Sequence, residues 1–298
     1  MHGKIAVGLL ALSLASLTLA AGVSAAPDAG ASRKESARTS SPAIKEAQGP
    51  LAPARSTPGC RAPRKGATGA FEAHTIRVGD SERSYQLLVP KSYRASRPYP
   101  VIFRFHGRGG NGLSGGLGIE AHSGEQAIVV APDGLDQNFS WASEERDLAL
   151  FDALLKLLAD SYCIDEGRVY AYGFSAGARF SQLLACKRAE RLAAIAAIAG
   201  FDETPRAACG RAVAAWLMHD VDDPTYASLA RGIVARDRLR AQSGCSEGGT
   251  VEGECLRYRG CAARAPVVWC QTQGRGHDIR GEDAPAQVWK FFSSLSGG

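Results

Sequence analysis

The sequence predicts an α/β fold in which a mostly parallel central sheet is covered by helices on both faces. Apolar runs of strand length alternate along the chain with segments whose apolar residues repeat at helical spacing. Strands connected by helices form parallel sheets that are buried on both faces. Two strands at the start of the globular part form a hairpin and add antiparallel pairing at one edge. Residues 59–298 are predicted to form one such domain.

Two segments precede this domain. Residues 1–25 are predicted to be a secretory signal peptide, because a short basic start is followed by the apolar stretch Ile5–Ala21 and by Val23-Ser24-Ala25, which fits a small-x-small cleavage site. Residues 26–58 are rich in Ala, Ser and Pro and contain few large apolar residues, so we expect a disordered linker. No later segment is apolar enough to cross a membrane, and we expect a secreted, soluble protein.

All eight cysteines follow the predicted signal peptide, and an even number in an exported chain predicts disulfides. No Cys-x-x-Cys occurs and the histidines are scattered, so the pattern does not favour a metal site. The sequence leaves the pairing open among about a hundred connectivities. Four of the cysteines lie between residues 245 and 270, which predicts a locally stapled loop. The cysteines are Cys60, Cys163, Cys186, Cys209, Cys245, Cys255, Cys261 and Cys270.

The elements follow from apolar runs and their spacing. The opening hairpin pairs Thr75–Gly79 with Arg83–Pro90 across the turn Asp80-Ser81-Glu82. The other predicted strands are Tyr99–His106, Ala127–Pro132, Arg168–Gly173, Leu192–Ala199, Val213–Met218 and Val267–Gln271. The predicted helices are Asp147–Asp160, Ala176–Lys187, Tyr226–Gln242 and Ala284–Leu295.

A Gly-x-Ser-x-Gly motif centred on Ser175 lies between a predicted strand and a predicted helix. This context is typical of a nucleophile elbow, in which a sharp turn holds the serine oxygen at the top of a sheet. Gly173 and Gly177 leave room for such a turn and for close packing of the helix. Without the flanking elements the motif is short enough to arise by chance. The sequence therefore predicts Ser175 as a nucleophile.

A serine nucleophile needs a histidine base and an acid that orients the base. In hydrolases with this elbow the chain order is serine, acid, histidine. Only His219 and His277 follow Ser175. His219 lies at the end of a predicted strand and directly before the candidate acids, so no acid of that loop can stand between Ser175 and His219. We therefore expect His277 to be the base. The acid then lies after the strand Val213–Met218, and Asp223 is the first choice with Asp222 the second.

An oxyanion hole requires backbone N–H groups near the serine. One is expected from Ala176, and the other from Gly107 or Arg108 in the loop after the third predicted strand. The same loop matches Gly-x-Gly-x-x-Gly, a dinucleotide fingerprint. Further glycines follow it, however, where that fingerprint requires a helix, so the dinucleotide interpretation is not favoured.

Several stretches resemble the family of exported carbohydrate esterases that contains feruloyl esterases and polyhydroxybutyrate-depolymerase-like enzymes. The resemblance covers most of residues 59–298. It rests on Arg83–Pro90, Tyr99–Gly110, Cys163–Ser175, Leu184–Cys186, His219 to Thr225, Tyr258–Cys261 and Pro266–Cys270. It implies an α/β-hydrolase fold, which the cysteines predict to be stapled by disulfides, together with esterase activity on exported or plant-derived esters and a triad of Ser175, Asp223 and His277.

The chain departs from the family pattern at three places near the expected site. Ala178 stands where the family has a second glycine after the serine, and Asp220 stands where it has a glycine after the histidine. Asp278-Ile-Arg replaces a Trp-Pro-type segment after His277. Trp141 and Tyr226 are the aromatic residues that we expect to contact substrate.

The expected activity is hydrolysis of hydroxycinnamoyl or acetyl esters of plant polysaccharide by an exported serine esterase through an acyl-enzyme. The alternatives are a polyhydroxyalkanoate depolymerase and, from another class, a non-catalytic binding protein on a hydrolase scaffold. No metal or organic cofactor is implied. The net charge of +5 is spread along the chain without a dense basic run, so no nucleic-acid partner is expected, and we expect a monomer.

Overall fold

A computed structural model describes residues 54–61, 68–114, 117–135, 141, 144–277, 281 and 283–295 of the chain. The predicted signal peptide, most of the predicted linker and the Asp278-Ile-Arg segment lie outside the described residues. At the end of the predicted linker, Ser56 forms a bridge with Asp165, and the Arg55 N–H donates to the Asp165 carboxylate over 3.0 Å. Within the described ranges, no helix combines the length and apolarity needed to cross a membrane.

The described residues form one ten-stranded sheet with the order β1-β2-β4-β3-β5-β6-β7-β10-β9-β8. The strands are β1 (Phe71–Val78), β2 (Ser81–Leu88), β3 (Tyr99–Phe105), β4 (Ile128–Pro132), β5 (Ile164–Phe174), β6 (Ala194–Ile198), β7 (Ala214–Asp220), β8 (Gly249–Glu252), β9 (Cys255–Tyr258) and β10 (Val267–Thr272). Pairing is parallel from β4 through β3, β5, β6 and β7 to β10, and antiparallel at both edges. The predicted mostly parallel sheet with an antiparallel N-terminal hairpin is confirmed.

Helices cover both faces of this sheet, as predicted. They are α1 (Ile119–Ser123), α2 (Glu144–Ser161), α3 (Ala176–Lys187), α4 (Leu229–Gln242) and α5 (Asp283–Ser294). Alternate residues of the central strands face opposite sides: Val101 and Phe103 belong to the core cluster that includes residues of α2, α3 and α4, whereas Ile102 belongs to the cluster that includes residues of α5 and of the segment around α1. The helix α1 was not predicted, because five residues are too few to show helical spacing.

The first hairpin turns one residue earlier than predicted. The turn consists of Gly79 and Asp80, and Ser81 already pairs with Val78. Gly79 has a φ of 57°, which glycine adopts without steric cost and which two-residue hairpin turns require. The predicted helix Tyr226–Gln242 begins only at Leu229, so Tyr226 lies in the preceding turn.

All eight cysteines pair, as predicted, in four disulfides: Cys60–Cys163, Cys186–Cys209, Cys245–Cys261 and Cys255–Cys270. The local stapling predicted between residues 245 and 270 is confirmed, because the last two of these disulfides lie within that segment. The segment is not only a loop, however, since it contains the hairpin β8–β9, which extends the sheet beyond β10. The hairpin shows no apolar run in the sequence because β8 is mainly solvent-exposed.

Candidate active site

Ser175 lies at a strained turn between β5 and α3. Its φ of 53° is unusual for a residue with a side chain, and such conformations cluster at functional sites. The Ser175 N–H donates to the Ile198 carbonyl over 2.8 Å, and the Ser175 carbonyl accepts from the Arg179 N–H over 3.0 Å. Both backbone groups of the strained residue are therefore held by neighbouring elements.

Close backbone contacts explain the glycines around Ser175. A Cβ at Gly173 would lie 2.3 Å from the Gly177 carbonyl, and a Cβ at Gly177 would lie 2.1 Å from the Phe105 carbonyl oxygen. Gly200 after β6 meets the same requirement, because a Cβ there would lie 2.4 Å from the Ser175 carbonyl oxygen. Gly200 was not identified from the sequence, since it lies 25 residues after Ser175 and outside the motif.

The structure brings Ser175, His277 and Asp223 together. They follow β5, β10 and β7, and the carboxyl ends of these parallel strands share one edge of the sheet. The Ser175 Oγ lies 3.0 Å from His277 Nε2, and His277 Nδ1 lies 2.7 Å from Asp223 Oδ2. The His277 side chain is 27% exposed and that of Asp223 is fully buried. The order serine–imidazole–carboxylate is the one that activates a serine oxygen.

The neighbouring carboxylates do not contact His277 but hold the loop that carries it. Asp222 accepts from the Gly274 N–H over 2.8 Å. Asp220 accepts from the Thr272 hydroxyl over 2.6 Å and from the Gly276 N–H over 3.1 Å. The geometry therefore places Asp223, and not Asp222, beside the imidazole.

Hydrogen bonds keep Asp223 in its charged form. Burial alone raises the pKa of this carboxyl, but hydrogen bonds from His277 and Thr225 outweigh burial, and the pKa lies below its ordinary value. Thr225 was not identified from the sequence as a site residue. The Asp-x-Thr spacing is a signal for a side-chain-capped turn, but it carries no information about the histidine that the turn meets.

The loop after β3 lies close to the serine. A Cβ at Gly107 would lie 3.4 Å from Ser175 Cβ and 2.9 Å from the Phe174 ring, so only glycine fits this approach. The Gly134 N–H donates to Nε2 of buried His106 over 3.0 Å. The neutral ring therefore carries its proton on Nδ1, which lies 2.7 Å from the Gly107 carbonyl and donates to it.

Trp141 and Tyr226 lie in contrasting surroundings. Trp141 is only 3% exposed, its ring stacks on Phe180, and its indole N–H donates to the His106 carbonyl over 2.9 Å. This placement favours a supporting role for Trp141 under the Gly107 loop over the expected contact with substrate. Tyr226 is 70% exposed, and the Arg231 guanidinium lies 3.6 Å from its ring centroid.

His219, the alternative base, is not brought to the serine. Its ring is buried against Trp269, and its Nε2 donates to the Gly200 carbonyl over 3.0 Å. A Cβ at Gly232 would lie 2.6 Å from this ring, so α4 packs directly on it.

Stability is expected to fall as the pH drops below about 6.5, because burial lowers the pKa of both His106 and His219 in the folded protein. The unfolded chain binds protons on these rings below about pH 6.5. The free energy of unfolding then decreases from that pH towards the lowered folded-state values. Urea-denaturation midpoints at about pH 7.5 and about pH 5.5 measure the effect, in a range where carboxyls of ordinary pKa stay charged. Equal midpoints would contradict it.

Known proteins resemble this chain in sequence and in structure, although no family model matches it. A probable feruloyl esterase C from Aspergillus flavus is 31% identical over 233 residues, covering 71% of this chain and 84% of the relative. Feruloyl esterase D from Neurospora crassa is 31% identical over 251 residues, covering 74% of this chain and 85% of the relative.

Solved structures show the same fold. An acetyl xylan esterase from Aspergillus awamori superposes with a TM-score of 0.60 at 14% identity, covering 75% of this chain and 100% of that one. A ferulic acid esterase from Anaeromyces mucronatus in complex with ferulic acid superposes with a TM-score of 0.55 at 14% identity, covering 81% of this chain and 97% of that one. The fold is that of the α/β hydrolases. The chain belongs to the feruloyl esterase family of carboxylic ester hydrolases.

Proposed function

We propose that this protein is an exported serine esterase that hydrolyses hydroxycinnamoyl esters of plant polysaccharide, feruloyl esters above all, and acetyl esters as the second substrate class. The observation that carries the proposal is the hydrogen-bonded chain from Ser175 through His277 to Asp223 on a strained turn. The family of the relatives supports the substrate class.

In the first half of the reaction, the Ser175 Oγ attacks the ester carbonyl carbon while His277 Nε2 accepts the hydroxyl proton. The 3.0 Å separation of these atoms allows direct transfer. Asp223 stabilises the imidazolium through Nδ1–H, and collapse of the tetrahedral intermediate releases the alcohol with the proton from Nε2. Water then attacks the acyl-enzyme with His277 as base, and the acid leaves. No metal or organic cofactor takes part in these steps.

The oxyanion hole is proposed to consist of the N–H groups of Ala176 and Arg108. Ala176 is the first residue of α3, and the first N–H groups of a helix have no partner within it. The Gly107 carbonyl accepts from His106 and from the Gly110 N–H, so it points into its own loop. In a trans peptide the following N–H, that of Arg108, points the opposite way. These contacts support Arg108 over Gly107 as the second donor.

Tyr226 is proposed to contact the aromatic acyl group or a sugar of the substrate. It follows Thr225, whose Oγ1 lies 3.1 Å from His277 Nδ1, and the Arg231 guanidinium stacks on its ring. Replacing Tyr226 by alanine is expected to raise KM for methyl ferulate by about 5- to 20-fold, because a stacking contact is lost. Hydrolysis of p-nitrophenyl acetate, which lacks that acyl group, serves as the control. An unchanged KM for methyl ferulate would remove Tyr226 from the binding site.

Export follows from the predicted signal peptide at residues 1–25, and the four disulfides support an oxidising compartment. The last residues of the predicted linker, Arg55 to Thr57, are held against the folded domain, so the linker is proposed to end before them. A monomeric state and the absence of membrane and nucleic-acid partners complete the proposal. N-terminal sequencing of the secreted protein and its elution volume in size-exclusion chromatography test these points.

A rate comparison on methyl ferulate, acetylated xylan and a polyhydroxybutyrate film tests the proposed substrate class. We expect turnover of methyl ferulate to be fastest, with slower release of acetate from xylan and no erosion of the film. Faster erosion of the film would replace the proposal by a polyhydroxyalkanoate depolymerase. No turnover of any ester would favour a binding protein on a hydrolase scaffold.

A further inference from the structure

Thr225 lies where the catalytic carboxylate and imidazole meet. Its Oγ1 is 2.6 Å from Asp223 Oδ1 and 3.1 Å from His277 Nδ1, and it accepts from the Ala227 N–H over 3.1 Å. The Thr225 N–H donates to the same Asp223 oxygen over 2.8 Å. One hydroxyl therefore contacts both the carboxylate of Asp223 and the imidazole of His277.

We propose that Thr225 is a positioning residue that holds Asp223 and His277 in the geometry that activates Ser175. The inference rests on the proposed esterase function and adds a fourth side chain to its triad.

The hydrogen-bonding capacity of a hydroxyl fits this role. A threonine hydroxyl has one proton to donate and two lone pairs to accept with. The hydroxyl donates its hydrogen bond to Asp223 Oδ1, because a carboxylate only accepts, and one of its lone pairs accepts from the Ala227 N–H. The other lone pair faces His277 Nδ1, and the Nδ1–H then forms a bifurcated hydrogen bond to Thr225 Oγ1 and Asp223 Oδ2. The hydroxyl therefore uses its one donor proton and both of its acceptor lone pairs.

Two rotations are restricted as a result. The carboxylate of Asp223 is fixed because Oδ1 accepts two hydrogen bonds from Thr225 while Oδ2 accepts one from the His277 Nδ1–H. The imidazole is fixed because its Nδ1–H meets two acceptors on one side, which aims Nε2 at the serine. Loss of the hydroxyl leaves the N–H of residue 225 on Oδ1, but the His277 Nδ1–H then has Asp223 Oδ2 as its one remaining acceptor, so the imidazole can turn more widely about its Cβ–Cγ bond.

The chain contains a matched turn without a histidine. Thr204 stands two residues after Asp202, as Thr225 stands two residues after Asp223. The Thr204 Oγ1 donates to Asp202 Oδ1 over 3.0 Å and its N–H donates to Oδ2 over 3.3 Å. The charged partner of Asp202 is Arg238, at 3.3 Å. Thr204→Val therefore removes the same turn hydrogen bond and leaves the triad untouched.

Steady-state kinetics on methyl ferulate test the proposal with Thr225→Val, Thr225→Ser and Thr204→Val in the full-length protein. We expect Thr225→Val to lower kcat by about 10- to 100-fold with KM within about 2-fold, as for loss of one hydrogen bond to a charged group in the transition state. Thr225→Ser keeps the hydroxyl and is expected to retain kcat within about 3-fold, and Thr204→Val is expected to match the wild type. Thr225→Ala is a second variant that lacks the hydroxyl.

A wild-type kcat in Thr225→Val, or an equal loss in Thr204→Val, would overturn the positioning role and leave the esterase proposal standing. A wild type that hydrolyses no ester would refute the esterase proposal instead. In that case proton NMR still decides the role of Thr225, since the downfield resonance of a hydrogen-bonded His277 Nδ1–H is expected in the wild type and in Thr225→Ser. Its displacement in Thr225→Val supports the contact, and an identical resonance excludes it.

Discussion

Replacing Ser175 by alanine is expected to lower kcat/KM for methyl ferulate by about 10⁴-fold or more. In the proposed mechanism the substitution removes the oxygen atom that forms the acyl-enzyme, and it leaves the binding surfaces and the backbone N–H groups in place. Alanine adopts the strained φ of this position no better than serine does, so the turn is not relieved. The measurement is hydrolysis of methyl ferulate by wild type and variant at matched protein concentration, with thermal unfolding as the check on folding.

Ser181→Ala is the matched control. Ser181 is a buried serine of α3, the helix that begins directly after Ser175, and its hydroxyl donates to the Gly177 carbonyl over 3.0 Å. We expect this variant to retain turnover within about 3-fold, because the carbonyl keeps its place in the helix. Retained turnover in Ser175→Ala would refute the mechanism, and equal losses in both variants would point to damage of the helix.

Replacing Asp223 by asparagine is expected to lower kcat by about 10³- to 10⁴-fold. The two orientations of the new amide are both unfavourable. With its NH₂ towards His277, the amide donates to Nδ1 and forces the proton onto Nε2, the atom that must accept from Ser175. With its NH₂ on the other side, the amide meets the Thr225 N–H, which is also a donor. The histidine therefore loses its working tautomer or the turn loses its hydrogen bond.

Asp222→Asn makes the same chemical change one residue away. Its carboxylate accepts from the Gly274 N–H, and an amide oxygen can replace it there. We expect kcat of this variant to remain within about 3-fold of the wild type when both are assayed on methyl ferulate. The reverse result, with Asp222→Asn inactive and Asp223→Asn active, would assign the acid to Asp222.

The sequence was sufficient to predict the fold class and the central strands, because these strands are apolar runs that alternate with segments of helical spacing; it did not predict α1 or the hairpin β8–β9. It was also sufficient to identify the serine and one histidine, since the candidate acids after the strand Val213–Met218 follow His219 and precede His277. The choice between Asp222 and Asp223 depended on which of two adjacent side chains points to the imidazole. That direction is set by the turn at Thr225, and although the Asp-x-Thr spacing signals the turn, only the structure shows that the carboxylate meets the imidazole.

Features that depend on distant contacts could not be predicted. The requirement for glycine at position 200 arises from a contact with Ser175 across two parallel strands. The burial of Trp141 arises from its packing on Phe180 and His106, and a sequence pattern cannot distinguish such a ring from one at a binding surface. The disulfide Cys60–Cys163 joins residues 103 apart, and no spacing rule determines such a pair.

Covalent labelling of the intact protein tests the central claim, that Ser175 is an activated nucleophile, most directly. The protein is incubated with a fluorophosphonate, digested, and the modified peptide is identified by mass spectrometry. We predict one adduct per chain, on Ser175, with labelling lost in Ser175→Ala and strongly slowed in Asp223→Asn. A protein that is folded but unlabelled, or labelled at another serine, would contradict the claim.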